Sequence, residues 1–185
     1  MKDSSVIRRI LLVGFMGSGK TLVGQALSRR LGWEFRDFDQ EIRTRVGLPI
    51  PEIFRQHGEA WFREMEVELG SRLLREEGVV LASGGGWASR EGWLEELPSG
   101  TLSVWLKVSA EEAVRRVREE GPTRPLLAVP DPLAEARKLL AAREMRYREA
   151  DLAVESEGAG PEILARQIEK LMHDSGRDRV SSTKE

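Results

Sequence analysis

The chain has 185 residues, of which 40% are hydrophobic and 32% are charged, and 29 basic side chains nearly balance 31 acidic ones to leave a net charge of −2. That length and apolar content fit one folded domain, and the balance of charge argues against a disordered chain and against a general nucleic-acid or membrane surface. The absence of cysteine excludes disulfide frameworks, metal–thiolate sites and a cysteine nucleophile. A polar start followed by only a short apolar run predicts neither a signal peptide nor a membrane span, so we expect a cytoplasmic protein.

Four short apolar runs have the composition of buried β-strands, a fifth run at residues 33–37 is weaker, and longer helical stretches separate them. The runs lie at residues 10–13, 33–37, 79–82, 102–108 and 152–154. Three apolar stripes at helical spacing are Leu22, Val23, Ala26, Leu27 and Leu31 before Gly32, then Ala113, Val114 and Val117, then Ile163, Ile168 and Leu171. Alternation of strands with helices predicts a three-layer α/β/α sandwich around a five-stranded parallel sheet. We expect residues 1–172 to form this single domain and residues 173–185, which are polar and aperiodic, to form a frayed tail.

The first strand leads directly into residues 14–21, GFMGSGKT, which match the phosphate-loop pattern G-x-x-x-x-G-K-[ST] at every fixed position. Such glycines let successive backbone N–H groups point at phosphate oxygens, and the following helix adds the positive end of its dipole. Lys20 can then reach the outer phosphates, and Thr21 can offer its hydroxyl to Mg²⁺. The pattern predicts a nucleoside triphosphate site rather than a simple glycine-rich turn.

Three classes of protein use such a loop: regulatory GTPases, mechanical ATPases and small-molecule kinases. The chain contains no asparagine, so it cannot carry the Asn-Lys-x-Asp motif with which most regulatory GTPases read guanine. A motor ATPase is usually larger and has a strand ending in acidic residues, whereas the strand at 79–82 runs into Gly84-Gly85-Gly86. A small kinase is therefore the leading class.

The second predicted strand ends in Asp37-Phe38-Asp39. Alternate residues of a strand face the same way, so we expect both carboxylates at the carboxyl edge of the sheet, where ligands of such folds bind. One carboxylate near Thr21 would hold Mg²⁺ through water, and the other would accept the proton of an attacking hydroxyl. The alternative is a solvated pair that caps the next helix.

Residues 119–132 are rich in glycine and proline and interrupt two helical stretches. They predict a long loop of the kind that closes over ligands and keeps water from the transferring phosphate.

Taken in order, these motifs resemble the shikimate kinase family, in the nucleoside-monophosphate-kinase-like group of phosphate-loop folds. The resemblance spans about residues 7–172 and depends on FRDFD at 35–39, GEAWFREME at 58–66, SGGG at 83–86 and TRPLL at 123–127, together with the phosphate loop. It implies MgATP-dependent phosphorylation of the 3-hydroxyl of shikimate, an acceptor-binding region at about 43–75, a lid at about 119–130 and a role in aromatic amino acid biosynthesis. It implies no nucleic-acid or membrane partner, and we expect a monomer.

The resemblance also assigns roles by position. Catalysis falls to Asp39, Lys20 and Arg124; ATP binding to Gly17, Ser18, Gly19, Lys20, Thr21, Arg116, Arg124 and Pro161; shikimate binding to Asp39, Arg63, Gly84, Gly85, Gly86 and Arg143; and magnesium binding to Thr21 and, through water, Asp37. The chemistry of arginine agrees, since a planar guanidinium that stays charged suits a carboxylate clamp. Glu66 lies three residues beyond Arg63 and is placed to brace it along one helix face. Without the resemblance, a helical salt bridge would be the simpler reading of Arg63, and a solvated helix that of Arg143.

Three residues depart from the family pattern: Phe38 between the two aspartates, and Ser83 and Trp87 on either side of the triple glycine. They leave fine acceptor preference open, with Phe38 either crowding the site or pointing into the core. The rival readings are another small-molecule kinase, for gluconate or a nucleoside monophosphate, and a non-catalytic nucleotide-binding module. His57 has no assigned role and is read as an ordinary helix-end histidine.

Overall fold

The computed structural model describes residues 6–90, 92–121 and 125–181. Over these residues the chain alternates between strands and helices. The strands are β1 Arg9–Val13, β2 Glu34–Asp37, β3 Val79–Ala82, β4 Thr101–Lys107 and β5 Leu152–Glu155. The helices are α1 Lys20–Leu31, α2 Phe38–Val46, α3 Ile50–Leu73, α4 Ala110–Glu120, α5 Pro132–Tyr147 and α6 Pro161–Ser181, with 3-10 turns at Trp87–Ser89 and Pro125–Leu127.

The strands of the described chain form one parallel sheet in the order β2-β3-β1-β4-β5. Residues of the central β1 alternate between two hydrophobic clusters. Leu11 and Val13 pack with the layer that contains α2 to α5, and Ile10 and Leu12 pack with α1 and α6. Because both faces are covered, β1 and β3 are buried along their whole length. The predicted three-layer sandwich is confirmed.

The connections of β1 and β4 leave the sheet in opposite directions, because α1 leads toward β2 at one edge and α4 toward β5 at the other. In open α/β sheets, such a switch in strand order leaves a crevice outside the carboxyl ends of the strands. The phosphate loop and the triple glycine follow β1 and β3 at this edge. The topology therefore collects the sequence motifs on one side of the molecule.

The structure corrects several local predictions. Leu22 and Ile163 stand in their predicted apolar stripes, yet they are 58% and 60% exposed because each falls on the outer face of its helix. The strand β2 ends at Asp37 and α2 begins at Phe38, so Asp39 lies in the first turn of a helix and not on a strand end. The helix α6 continues to Ser181, into the segment 173–185 that the sequence predicts to be a tail.

The long helix α3 has a break at Gly58, whose φ of 82° and ψ of 168° are not helical. The break separates an amino-terminal segment from the longer part that carries Arg63 and Glu66. A positive φ is available to glycine at little cost, which is the physical reason for glycine here. The two parts of α3 can therefore take different directions around the crevice.

Candidate active site

The phosphate loop curls tightly against its neighbours. Gly17 has a φ of 73°, and a Cβ atom added there would lie only 2.8 Å from the carbonyl oxygen of Ala113 on α4. Gly19, with a φ of 85°, precedes α1, and no side chain caps that helix. The first N–H groups of α1 are thus left for an anion, and the helix dipole favours one there.

Lys20 folds back over the loop. Its Nζ atom donates hydrogen bonds to the carbonyl oxygens of Gly14 and Phe15, both at 2.9 Å. Ser18 is fully buried, and its N–H donates to the Phe15 carbonyl at 3.2 Å, which closes the turn. The ammonium group of Lys20 is therefore positioned beside the concave backbone that a triphosphate would occupy.

Thr21 and Asp37 are brought together from α1 and the end of β2. The Thr21 hydroxyl donates to Asp37 Oδ2 at 2.6 Å, and Asp37 Oδ1 accepts from the Gln40 N–H at 3.2 Å as the N-cap of α2. Burial raises the pKa of Asp37; the hydrogen bond from Thr21 opposes this effect, and the nearby carboxylate of Asp39 adds to it. Both readings of the pair are thus partly right, since Asp37 caps a helix and also faces the phosphate loop.

These oxygens fit a magnesium ion. A hydroxyl and a buried carboxylate are hard oxygen ligands of the kind that Mg²⁺ takes, and burial raises the pKa of Asp37, the direction expected where a carboxylate has too little positive charge nearby. Within the described ranges there is no cluster of three acidic or histidine side chains that would hold a metal alone. Mg²⁺ typically takes one or two protein oxygens and completes its shell with water and nucleotide phosphates, so this sparse site suits it.

Two clefts open beside each other at the carboxyl edge of the sheet. The phosphate cleft is lined by Met16, Gly17, Gly19, Lys20, Thr21, Leu22, Asp37, Asp39, Ser83, Gly85 and Glu120. The second is lined by Met16, Asp39, Ile50, Phe54, Phe62, Arg63, Glu66, Gly85, Gly86, Pro125, Leu126 and Arg143, and we call it the acceptor cleft. Met16, Asp39 and Gly85 belong to both walls. Asp39 therefore stands where a group passing from one cleft to the other would cross.

Arg63 is held in the acceptor cleft by two carboxylates of its own helix. Its Nη2 donates to Glu59 at 3.0 Å, and its Nη1 donates to Glu66 Oε2 at 2.5 Å. The side chain of Glu66 is 1% exposed, and its Oε1 has no hydrogen-bond partner among the described residues. Burial raises the pKa of Glu66 to about 7, although Arg63 lowers it. The predicted brace between Glu66 and Arg63 is present.

The triple glycine packs against this ion pair. A Cβ atom at Gly84 would lie 1.7 Å from Glu66 Oε1, and one at Gly86 would lie 2.7 Å from Arg63 Nη1. Neither position has room for a side chain while Arg63 and Glu66 keep these places. A side chain at either position would therefore require Glu66 or Arg63 to move.

Arg143 reaches the same cleft from α5. Its Nη1 donates to the Gly85 carbonyl oxygen at 3.2 Å, and its guanidinium lies 5.9 Å from the centre of the Phe15 ring. Two arginines from different helices, Arg63 and Arg143, thus line one concave site. This arrangement suits the carboxylate of a small acid.

Arg116 lies at the opposite end of the phosphate loop, on α4. Its Nη1 donates to the Gly17 carbonyl oxygen at 3.1 Å, its Nη2 to the Ser156 carbonyl oxygen at 2.8 Å, and its Nε to Glu112 at 2.7 Å. The guanidinium is therefore fixed between the phosphate loop and the segment that follows β5. Pro161 begins α6 beyond that segment and is exposed. Arg124 lies outside the described residues.

Phe38 and Trp87, two of the departures from the family pattern, are in contact. Their rings meet edge to face at 5.4 Å, and both are buried. A Cβ atom at Gly70 of α3 would lie 2.6 Å from Trp87 Nε1 and 2.9 Å from Phe38, so the three residues fill one space. Phe38 points into the core and does not crowd the acceptor cleft.

Sequence reasoning missed part of the site. Ile50, Phe54 and Phe62 form the apolar wall of the acceptor cleft, and Pro125 and Leu126 of the predicted lid also line it. Tyr147, the single tyrosine of the chain, donates from its hydroxyl to the Gly85 carbonyl oxygen at 2.5 Å. Its spacing of four residues from Arg143, one helical turn, was the signal that could have placed it on the same face.

Comparison with known proteins agrees with this geometry. The family model for shikimate kinase matches residues 16–173. A shikimate kinase of Nitrobacter winogradskyi is 43% identical over 166 residues, covering 90% of this chain and 77% of that protein. The structure of shikimate kinase from Acinetobacter baumannii in complex with shikimate matches with a TM-score of 0.84 at 35% identity, covering 92% of this chain and 96% of that one. A gluconokinase from Sinorhizobium meliloti matches with a TM-score of 0.56 at 22% identity, which shows a shared fold alone.

Proposed function

The chain belongs to the shikimate kinase family, and we propose that it transfers the γ-phosphoryl group of ATP to the 3-hydroxyl of shikimate, giving shikimate 3-phosphate and ADP. The observation that carries this proposal is the position of Asp39. Its carboxylate belongs to the wall of both the phosphate cleft and the acceptor cleft. A base at that junction meets the hydroxyl of an acceptor as it approaches the terminal phosphate.

The phosphate loop binds the nucleotide in this account. Backbone N–H groups of Gly17, Ser18 and Gly19 and the amino end of α1 face the phosphates, and Lys20 exchanges its bonds to loop carbonyls for bonds to phosphate oxygens. Arg116, held against Gly17, lies over the adenine. Pro161 contributes to the second wall of the adenine site.

Thr21 would hold Mg²⁺ through its hydroxyl, and Asp37 would hold it through water. When bound, this ion neutralises charge that develops on the phosphate oxygens. The hydrogen bond between Thr21 and Asp37 sets both oxygens on one side of the phosphate loop.

The acceptor cleft holds shikimate by its two ends. Arg63 and Arg143 clamp the carboxylate, while the backbone of Gly85 and Gly86 lines the pocket between them. Gly84 packs against Glu66 and contributes to the same loop. Asp39 binds the ring hydroxyls and accepts the proton of the 3-hydroxyl as that oxygen attacks the γ-phosphorus. The bond from the γ-phosphorus to the bridging oxygen breaks, and ADP leaves with the electron pair.

The lid excludes water from this reaction. Pro125 and Leu126 belong to the proposed lid segment at about residues 119–130, and both line the acceptor cleft. Arg124 on that segment stabilises the charge of the transferring phosphoryl group. Closure over both substrates favours transfer to shikimate over hydrolysis.

We propose a cytoplasmic, monomeric enzyme acting on small molecules, with residues 1–172 as its single kinase domain. ATP, the phosphoryl donor, is available in the cytoplasm. Among the described residues, no helix combines the length and the apolar character that crossing a bilayer requires. Light scattering at working concentration tests the monomer, for which a mass near 20.8 kDa is expected.

The Asp39→Asn variant tests the role at the junction of the clefts. The amide keeps the size of the side chain but cannot accept a proton, so we expect kcat to fall about 10²- to 10⁴-fold, with ATP affinity nearly unchanged. Asp174→Asn, an exposed change on α6, is the matched control and should retain full turnover. Robust turnover by Asp39→Asn would remove Asp39 from proton transfer.

A further inference from the structure

Tyr147 lies behind the acceptor cleft and has no part in the mechanism above. Its ring is fully buried at the end of α5, 6.1 Å from the ring of Trp105. Its hydroxyl donates a hydrogen bond of 2.5 Å to the carbonyl oxygen of Gly85. A buried phenol is expected to be there for its polar partners or for its packing.

The orientation of the Gly85 peptide affects both clefts. Gly85 belongs to the wall of both clefts, and a Cβ atom there would lie 3.2 Å from the backbone nitrogen of Met16 in the phosphate loop. The peptides on either side of it set where the N–H groups of the triple glycine point. A small rotation there would move the acceptor relative to the phosphate.

The same carbonyl oxygen also accepts from Arg143 Nη1 at 3.2 Å. Arg143 and Tyr147 are four residues apart on α5 and therefore share one face of the helix. The carbonyl thus receives two donors from one helix, and the position of the guanidinium is tied to that of the peptide. Burial raises the pKa of Tyr147 to about 12, so its hydroxyl keeps the proton that it donates at neutral pH.

We propose that Tyr147 is a positioning residue for the acceptor: its hydroxyl fixes the Gly85 carbonyl and, through that shared oxygen, holds Arg143 in the orientation that binds the shikimate carboxylate. The inference rests on the proposed function, because it takes Arg143 to be part of the carboxylate clamp. Tyr147 itself touches neither substrate. Burial keeps the Tyr147 side chain in a fixed position, from which it can hold the Gly85 carbonyl.

The test is Tyr147→Phe, which removes one oxygen and keeps the ring. Loss of a single buried hydrogen bond should raise the KM for shikimate about three- to tenfold, with the KM for ATP unchanged. An acceptor analogue with a hydroxymethyl group in place of the carboxylate should bind equally to the variant and the parent, because it does not use Arg143.

Ser103→Ala is the matched control for stability. The Ser103 hydroxyl is buried and donates to Asp151 at 2.6 Å, in a bond that joins β4 to the start of β5. Its loss should lower Tm while leaving both KM values unchanged. If Tyr147→Phe lowers Tm in the same way but leaves the KM for shikimate within 1.5-fold of the parent value, the positioning role is wrong.

Two further measurements separate the possible failures. Arg143→Ala tests the clamp alone: an unchanged KM for shikimate would contradict the proposed function, whereas a raised KM beside an unaffected Tyr147→Phe would contradict only this inference. If Tyr147→Phe does not fold, 3-fluorotyrosine labels this one position, since the chain has a single tyrosine. The ¹⁹F resonance should then shift on saturation with shikimate, and an unmoved resonance would overturn the proposal.

Discussion

Glu66 leads to a prediction in which pH is the variable. Its carboxylate is buried beside Arg63, with one oxygen unpartnered within the described chain, and burial raises its pKa to about 7 from an ordinary 4.5. Because the folded protein holds this proton more tightly than the unfolded chain, stability falls as pH rises from about 4.5 through 7. The difference between the two pKa values corresponds to roughly 3 kcal/mol of unfolding free energy.

Glu66→Gln removes this titration while keeping the size of the side chain. We expect the free energy of unfolding of the variant to match that of the parent near pH 5 and to exceed it by roughly 2–3 kcal/mol by pH 8.5. Urea unfolding followed by circular dichroism, repeated at intervals of pH, measures this difference. The control is Glu64→Gln, an exposed change on the same helix. The difference in unfolding free energy between this control and the parent should not change with pH. A difference between parent and Glu66→Gln that did not change with pH would refute the reasoning.

Three other substitutions test separate parts of the site. Gly84→Ala places a methyl group against Glu66, which should displace Arg63, so we expect the KM for shikimate to rise at least tenfold. An unchanged KM for shikimate in steady-state kinetics would contradict this. Arg116→Ala should raise the KM for ATP about tenfold through loss of its contact at Gly17 and leave the KM for shikimate alone, and the reverse pattern would move Arg116 out of the nucleotide site. Arg124→Ala should lower kcat by about 10³-fold or more with ATP affinity nearly intact, as titration calorimetry can establish, and an unchanged kcat would remove Arg124 from the mechanism.

The architecture was accessible from the sequence because the central strands β1, β3 and β4 are buried on both faces. Such strands read as continuous apolar runs. The observed β3 has the predicted bounds of 79–82, β1, β2 and β5 differ from prediction by one residue at one end, and β4 differs by one residue at each end. The phosphate loop could be predicted from the sequence because its backbone geometry requires glycines at spacings that few other sequences have. The buried face of each helix was harder to predict. Leu22 was assigned to the buried face of α1, but it lies beside the phosphate cleft, where its apolar side chain is exposed.

The candidate site was only partly accessible, for a physical reason. Residues such as Asp37 and Thr21 stand in motifs, but their contact joins two elements and depends on how β2 pairs with β3. The role of Gly85 as a shared wall and the bond from Tyr147 depend on a crossing between α5 and the loop after β3, which no local pattern encodes. Tertiary contacts of this kind appear only once the chain is folded.

The central claim is that this chain phosphorylates shikimate, and the most direct measurement is the release of ADP from MgATP with a panel of acceptors. The panel contains shikimate, gluconate, AMP and CMP, with ³¹P NMR of the product to locate the new phosphate ester. The account predicts rapid ADP release with shikimate alone and one equivalent of ester at the 3-oxygen. Activity confined to gluconate or to a nucleoside monophosphate would contradict it.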